Sequence, residues 1–369
     1  MAASPVSSVI VVGAGIAGAS TAFALASRGV AVTVVDDAAT GQATAAGAGI
    51  VAPWMSASTG RFYDLYAAGG AYYPTLLERL AATGVTTADY RRTGALVVHP
   101  DDGVLAEAAA RISERVAAAG DVAGHVERLD GADLRELFPP LAHGLGGFLL
   151  TGGGRVDGRS LRDALLTAAI RHGARRIKGT VRLSTVGGRT TAEVDATALE
   201  ADAVVVTAGA WSARLLAAVG ADLPVEPQRG QITHLRLEGV DTSRWPTVNP
   251  LSDHYLVAFD AGRVVAGATR ETGSGFDPRV TAAGQHQVLH DALSIAPGLA
   301  DATLVETRVG LRPLADDLPV VGEVDDGVWV ATGYGAGGLT MGPLLGDALG
   351  RAVLGEDTPE ISGLAPRPT

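Results

Sequence analysis

Gly13, Gly15 and Gly18, in "VVGAGIAGAS", carry the spacing G-x-G-x-x-G, and Asp36 follows about twenty residues later. Each type at that spacing has a physical use. Gly13 permits a tight turn, Gly15 lets backbone approach a pyrophosphate, and Gly18 lets a helix pack close against strands. With Ala14, Ile16 and Ala17 between them, they present backbone N–H groups and the positive end of a helix to phosphate. Asp36, with Asp37 beside it, closes a β-branched run where a carboxylate accepts hydrogen bonds from ribose hydroxyls. That acid fits FAD or NAD rather than NADP, and the motif alone does not separate the two.

The elements that must position these residues are legible around them. Residues 8 to 37 read as a short β-branched run, a glycine turn, an Ala-rich helical stretch ending at Gly29 and a second β-branched run, which is a βαβ unit. The spacing recurs in "VWVATGYGAGGLTMGPLLGDALG", at Gly333, Gly335 and Gly338. It too follows a strand and opens a helix, expected from Leu339 to about Leu354. No second strand with a terminal acid follows, so it is not an independent dinucleotide site. Its helix N-terminus suits a phosphate or the pyrimidine part of a flavin, or is a plain strand-to-helix connection.

Composition narrows the function classes. The chain has 369 residues, a size for which two domains are the default, and 47% of them are hydrophobic. A net charge of -11 opposes phosphate backbones, so nucleic acid is an unexpected partner. The absence of cysteine removes disulfides, thiolate metal sites and a cysteinyl cofactor link. No signal peptide or membrane span is expected, and the default location is the cytoplasm. His286 and His290 stand at i, i+4 without a third ligand, so an exposed helix face is expected there and no metal site. No G-x-S-x-G elbow suggests a hydrolase.

Further stretches complete a pattern: "GQATAAGAGIVAPW", "GTVRLSTVGG", "ADAVVVTAGAWSARLL", "HYLVAFDAGRVVAGATRETGSGF" and "VGLRPLADDLPVVGE". In this order, and with both glycine loops, the chain resembles the FAD-dependent amino-acid and amine oxidoreductases typified by glycine oxidase, D-amino acid oxidase and monomeric sarcosine oxidase. The resemblance runs from about residue 8 to residue 355. It implies a non-covalent FAD whose ADP half is held by Gly13, Gly15, Gly18 and Asp36. Thr44, Gly47, Gly49 and Ile50 then lie beside the pyrophosphate and flavin, and Val181 meets the adenine. Ala208, Gly209 and Trp211 form a loop returning to the cofactor, and Gly337, Gly338, Leu339 and Thr340 meet the pyrimidine end of the flavin.

The resemblance also assigns the substrate side. Arg312, in "GLRP", matches a carboxylate-binding arginine, with a structural ion pair to Asp316 or Asp317 as the alternative. Tyr255 matches a pocket tyrosine and is otherwise a core residue of a strand. Arg270 matches a variable pocket position, able to bind an acidic group or to pair with Glu271. Ala336 stands where glycine oxidase has a second arginine. Lys178 is the only lysine and lies near the adenine strand, so the lysine that sarcosine oxidase uses to activate oxygen is missing; the acceptor is oxygen or another oxidant.

The implied fold is α/β: a Rossmann-type FAD-binding domain (1-86, 150-222, 310-369) and an α+β substrate domain with an antiparallel sheet (87-149, 223-309). "RRTGALVVHP" and "GQITHLRLEG" read as strands of that sheet, and "DDGVLAEAAARISERVAAAG" as an amphipathic helix. The implied activity is oxidative deamination of a D-amino acid or glycine: hydride passes from the α-carbon to flavin N5, and the imine hydrolyses to a keto acid and ammonia. The alternatives are oxidation of an N-methyl or cyclic secondary amine such as sarcosine or proline, and a non-catalytic FAD-binding module. Partners reduce to a small amino acid or amine and an electron acceptor, and the oligomeric state is open.

Overall fold

The computed structural model describes residues 6–186 and 189–366. The Val-rich runs at Ser8–Val12, Ala31–Asp36, Ala203–Val206 and Val328–Thr332 form parallel strands of a six-stranded sheet. The nearly continuous burial of Ser8–Val12, Ala203–Val206 and Val328–Thr332 is what a sheet covered on both faces demands. The short strand Arg175–Lys178 extends it beyond Ala31–Asp36, and Val320–Asp325 closes the other edge antiparallel. Ser8–Val12 lies between Ala31–Asp36 and Ala203–Val206, so the strand order reverses beside it. Such a switch point opens a crevice at the carboxyl ends of the strands, and the first glycine turn sits in it.

The helix Ile16–Ala26 is buried along its whole length, which its Ala-rich sequence permits. It packs on the C-terminal helix Gly338–Val353 through glycines: a Cβ at Gly342 would stand 2.9 Å from Ile16, at Gly346 2.6 Å from Ser20, and at Gly350 2.7 Å from Ala24. Ascending order matches ascending order, so the two helices run parallel at close range. Both N-termini, with their positive dipole ends, therefore face the same side of the sheet. This four-residue glycine repeat fixes the mutual placement of the two glycine loops.

A second, eight-stranded sheet is built from strands within residues 95–150 and 225–315. It is antiparallel except where Thr247–Asn249 runs parallel to Ala95–His99. "RRTGALVVHP" contains Ala95–His99 of this sheet, while its first residue ends the strand Tyr90–Arg91 of a separate three-stranded sheet; "GQITHLRLEG" runs through the end of Val225–Arg236, and the expected amphipathic helix is Asp102–Ala119, capped by the Asp101 carboxylate. The fold is thus a mixed α/β one with parallel and antiparallel sheets. Strand Val225–Arg236 pairs along its length with Thr303–Ala315, bringing Gln228 opposite Arg312 and Gly230 opposite Gly310. Among the described residues no helix is long and apolar enough to cross a membrane.

Two histidines in this sheet region carry a pH dependence. His234 and His254 are buried, and burial pulls each imidazole down to about 4. An unfolded histidine titrates near 6.5, so between about 6.5 and 4 the unfolded chain binds protons that the folded chain refuses. The contribution of these groups to stability is therefore full above about 6.5, falls as pH drops toward 4, and levels off below. Urea unfolding across that range is expected to show the slope, and the double substitution His234→Gln, His254→Gln to flatten it.

Candidate active site

The carboxyl ends of the parallel strands, both glycine loops and one end of the eight-stranded sheet enclose a single cavity of about 1320 Å³. At one end stand Gly13, Gly15, Ile16, Ala17, Asp36 and Asp37, with Val181 beside them. Thr44, Gly47, Gly49 and Ile50 line the middle, facing Ala208, Gly209 and Trp211. Gly337, Gly338, Leu339 and Thr340 close the far end together with Tyr255, Arg270 and Arg312. Ala14 and Gly18 do not reach the wall. Ala14 is buried and donates its N–H to Asp36 Oδ2 at 2.7 Å, while Gly18 faces the strands, where a Cβ would run into the carbonyl of Gly13 and stand 2.5 Å from Thr207 Oγ1.

The first end is shaped by backbone. Gly13 has φ of +101°, and a Cβ there would stand 2.5 Å from Thr207 O, so only glycine makes this turn. At Gly15 a Cβ would meet only Thr44 Oγ1, at 3.4 Å, which leaves the backbone open to close approach. Thr44 Oγ1 accepts from Ile16 N at 2.9 Å, and no side chain of the turn itself caps the helix. Asp36 also accepts from Ala38 N at 2.8 Å and Gln42 Nε2 at 3.2 Å, so the loop amides hold its carboxylate in place at the wall.

The far end is polar and cationic. Arg312 Nη1 donates to Thr269 O at 3.0 Å and Gln228 Oε1 at 3.4 Å, and Tyr255 shares the cavity wall with it. It seats over Gly230, where a Cβ would stand 2.5 Å from Cζ. Burial draws its pKa down and Tyr255 draws it back, but a guanidinium stays charged. Among the described residues it has no carboxylate partner, Asp316 and Asp317 included. Arg270 bonds through Nε to Asp253 Oδ1 at 2.8 Å, not to Glu271, which Arg229 holds at 2.6 Å.

Tyr66 joins this group from the helix Gly60–Ala82. Its ring would stand 3.4 Å from a Cβ at Gly337, beside the second glycine loop, and burial raises its hydroxyl pKa. Thr340 Oγ1 donates to Ile50 O at 3.1 Å, tying the second glycine loop to the middle of the cavity. Sequence reasoning passed over Tyr66, since a helix with tyrosines at 63, 66, 72 and 73 reads as packing. It also passed over Gln228, the Thr269 carbonyl and Asp253. Lys178 is exposed on the sheet edge, away from the wall, and His286 and His290 stack at 6.0 Å on a helix with no metal-holding cluster among the described residues.

A dinucleotide-sized channel joins two helix N-termini and ends at a guanidinium, an arrangement that suits an oxidoreductase with a dinucleotide cofactor and a small-molecule substrate. The family model described as FAD dependent oxidoreductase matches residues 8–352, and the chain belongs to that family. It is 46% identical to the uncharacterized oxidoreductase YurR of Bacillus subtilis (strain 168), over 95% of this chain and 96% of that one. Glycine oxidase of Geobacillus kaustophilus (strain HTA426) is 30% identical over 92% of this chain and 90% of its own length. Among solved structures, iminodiacetate oxidase from Chelativorans sp. BNC1 superposes with a TM-score of 0.94 at 46% identity, covering 97% of this chain and 98% of that one.

The protein is an FAD-dependent oxidoreductase. The residues present fit that cofactor: two uncapped helix starts, the glycine cradle at 13 and 15, and the buried Tyr334 hydroxyl at the cavity wall without a partner among the described residues.

Proposed function

We propose that this protein oxidises the C–N bond of a small amine that bears a carboxylate on the reacting carbon. The observation that carries the reading is Arg312, a charged fork at the cavity wall whose bonds go to neutral oxygens and leave it free for a carboxylate. Gly13, Gly15 and Asp36 would hold the ADP half of FAD, and Gly337 to Thr340 the other end. When bound, FAD supplies the two-electron acceptor for the hydrogen on the α-carbon. Arg312 and the Tyr255 hydroxyl bind the substrate carboxylate at two points and so fix which C–H bond is presented. The amine loses one N–H proton to solvent and becomes an imine; water then adds across C=N and releases a 2-oxo acid and the nitrogen fragment.

Glycine or a D-amino acid satisfies this arrangement. The secondary-amine reading has its own support, because a relative of 46% identity is named for iminodiacetate, in which the nitrogen carries two carbon substituents. The strand membership of the segments supports division into FAD-binding residues 1-86, 150-222 and 310-369 and substrate-binding residues 87-149 and 223-309. The test is anaerobic bleaching of the bound flavin by glycine, D- and L-alanine, N-methylglycine, proline and iminodiacetate, with methylamine and dimethylamine as partners lacking the carboxylate. Bleaching by at least one carboxylated amine and by neither partner is expected. Equal bleaching by the partners, or none at all, would overturn the reading. Admitting air afterwards shows whether oxygen restores the absorbance.

A further inference from the structure

The far end of the cavity holds a second guanidinium that binding one carboxylate leaves unused. Arg270 shares the wall with Arg312 and Tyr255, and the three stand close enough for each to act on another's charge. The two cations therefore line one and the same cavity. Like charges held together in a partly buried space repel, and an arrangement of this kind is stabilised by anions. The protein supplies one: Asp253 Oδ1, 2.8 Å from Arg270 Nε.

That pair is easily opened. Its side chains are 44% and 76% exposed, and an ion pair so solvated contributes little to stability. Asp253 lies in the bend before strand Tyr255–Ala258, itself at the cavity wall, so it can turn to water without disturbing the sheet. Arg270 would then offer its fork to a ligand. The paired arginines elsewhere in this sheet differ: Arg229 is held by both Glu271 and Asp277 at 2.6 and 2.8 Å, is 11% exposed, and lies off the cavity wall.

We propose that Arg270 is the specificity-determining residue for a second carboxylate, so that the preferred substrate is a dicarboxylic amine, with Asp253 as the internal anion it displaces. This rests on Arg312 holding the first carboxylate. One chemistry has two sources: the second carboxylate belongs either to an N-carboxymethyl group or to the side chain of an amino-dicarboxylic acid.

Matched pairs separate these and isolate the second charge. Iminodiacetate against N-methylglycine tests the first source, and D-aspartate against D-alanine the second; within each pair a carboxylate is replaced by hydrogen. For the holoenzyme, kcat/KM is expected to favour the dicarboxylate by roughly ten- to a hundredfold in one pair, the range of a charge-assisted hydrogen bond. Arg270→Met is expected to bring that ratio to near one, the dicarboxylate losing far more than its monocarboxylate partner. Asp253→Asn removes the competing anion and is expected to lower KM for the dicarboxylate alone.

A binding arm needs no turnover. Glutarate and butyrate, where a methylene replaces the amine, are titrated against the flavin absorbance of the holoenzyme, and glutarate is expected to bind more tightly in the parent and equally in Arg270→Met. An unchanged preference in Arg270→Met, or equal losses for both members of a pair, would overturn the assignment. Failure of every amine to reduce the flavin would instead remove the proposed function, and the glutarate titration would still decide the role of Arg270.

Discussion

Arg312→Met is expected to lower kcat/KM for a carboxylated amine by about a hundred- to a thousandfold, the cost of truncating one partner of a buried, hydrogen-bonded charge pair. The guanidinium is held by Thr269 O and Gln228 Oε1 and seated over Gly230, so its direction is set before substrate arrives. Little binding energy is then lost in ordering it. Its loss leaves the substrate carboxylate facing neutral oxygens in a cavity that excludes most water. Lysine restores the charge but not the two-point fork, so Arg312→Lys is expected to recover only part of the rate. Steady-state kinetics on the best substrate of the bleaching screen make the measurement. FAD content serves as the control, since the bonds of Arg312 go to the eight-stranded sheet and to no glycine loop. Unchanged apparent affinity for the carboxylated amine in Arg312→Met would remove the role assigned to it.

The sequence was legible where chemistry is contiguous in the chain. Gly13 to Asp36 is a single βαβ unit, and every feature of its turn is dictated by neighbours within thirty residues or so. The second glycine loop was legible as something other than an independent site because the residues after its helix hold no β-branched run closed by an acid. What escaped was pairing across strands. Arg270 and Glu271 are adjacent, and an ion pair between them seemed natural, but extended backbone sends successive side chains to opposite faces. Glu271 faces Arg229 of the neighbouring strand and Arg270 faces the cavity and Asp253. Strand register puts Arg312 opposite Gln228, while Asp316 and Asp317 lie beyond the end of Thr303–Ala315, about 13 Å or more further along extended chain. Tyr66 escaped for a different reason: it reaches the second glycine loop from a helix far away in sequence, and helix periodicity marks the packed face without marking which packed hydroxyl meets a cavity.

Gly15 and Gly18 belong to one motif, and the structure gives them opposite physical roles that a pair of alanine substitutions will separate. Gly15 has φ of -69°, which any residue adopts, and a Cβ there meets only Thr44 Oγ1 at the ordinary distance of 3.4 Å. Gly15→Ala is therefore expected to leave the stability of the FAD-free protein within about 0.5 kcal/mol of the parent. If the backbone at Gly15 meets the pyrophosphate, the added methyl occupies the space the phosphate needs, and FAD is lost on gel filtration. Gly18→Ala gains about 1 kcal/mol of helix propensity, but its methyl would run into the Gly13 carbonyl and stand 2.5 Å from Thr207 Oγ1. Helix and strand must part, at a cost of about 1–3 kcal/mol or more for overpacking against backbone. Gly18→Ala is thus expected to melt several degrees lower even without cofactor. Thermal unfolding with and without added FAD distinguishes the two: the parent is stabilised by FAD, Gly15→Ala melts like the FAD-free parent whether or not FAD is added, and Gly18→Ala starts lower. Full FAD retention by Gly15→Ala would mean that the cofactor's phosphates do not approach this turn, and the placement of the ADP half at the first glycine loop would fall with it.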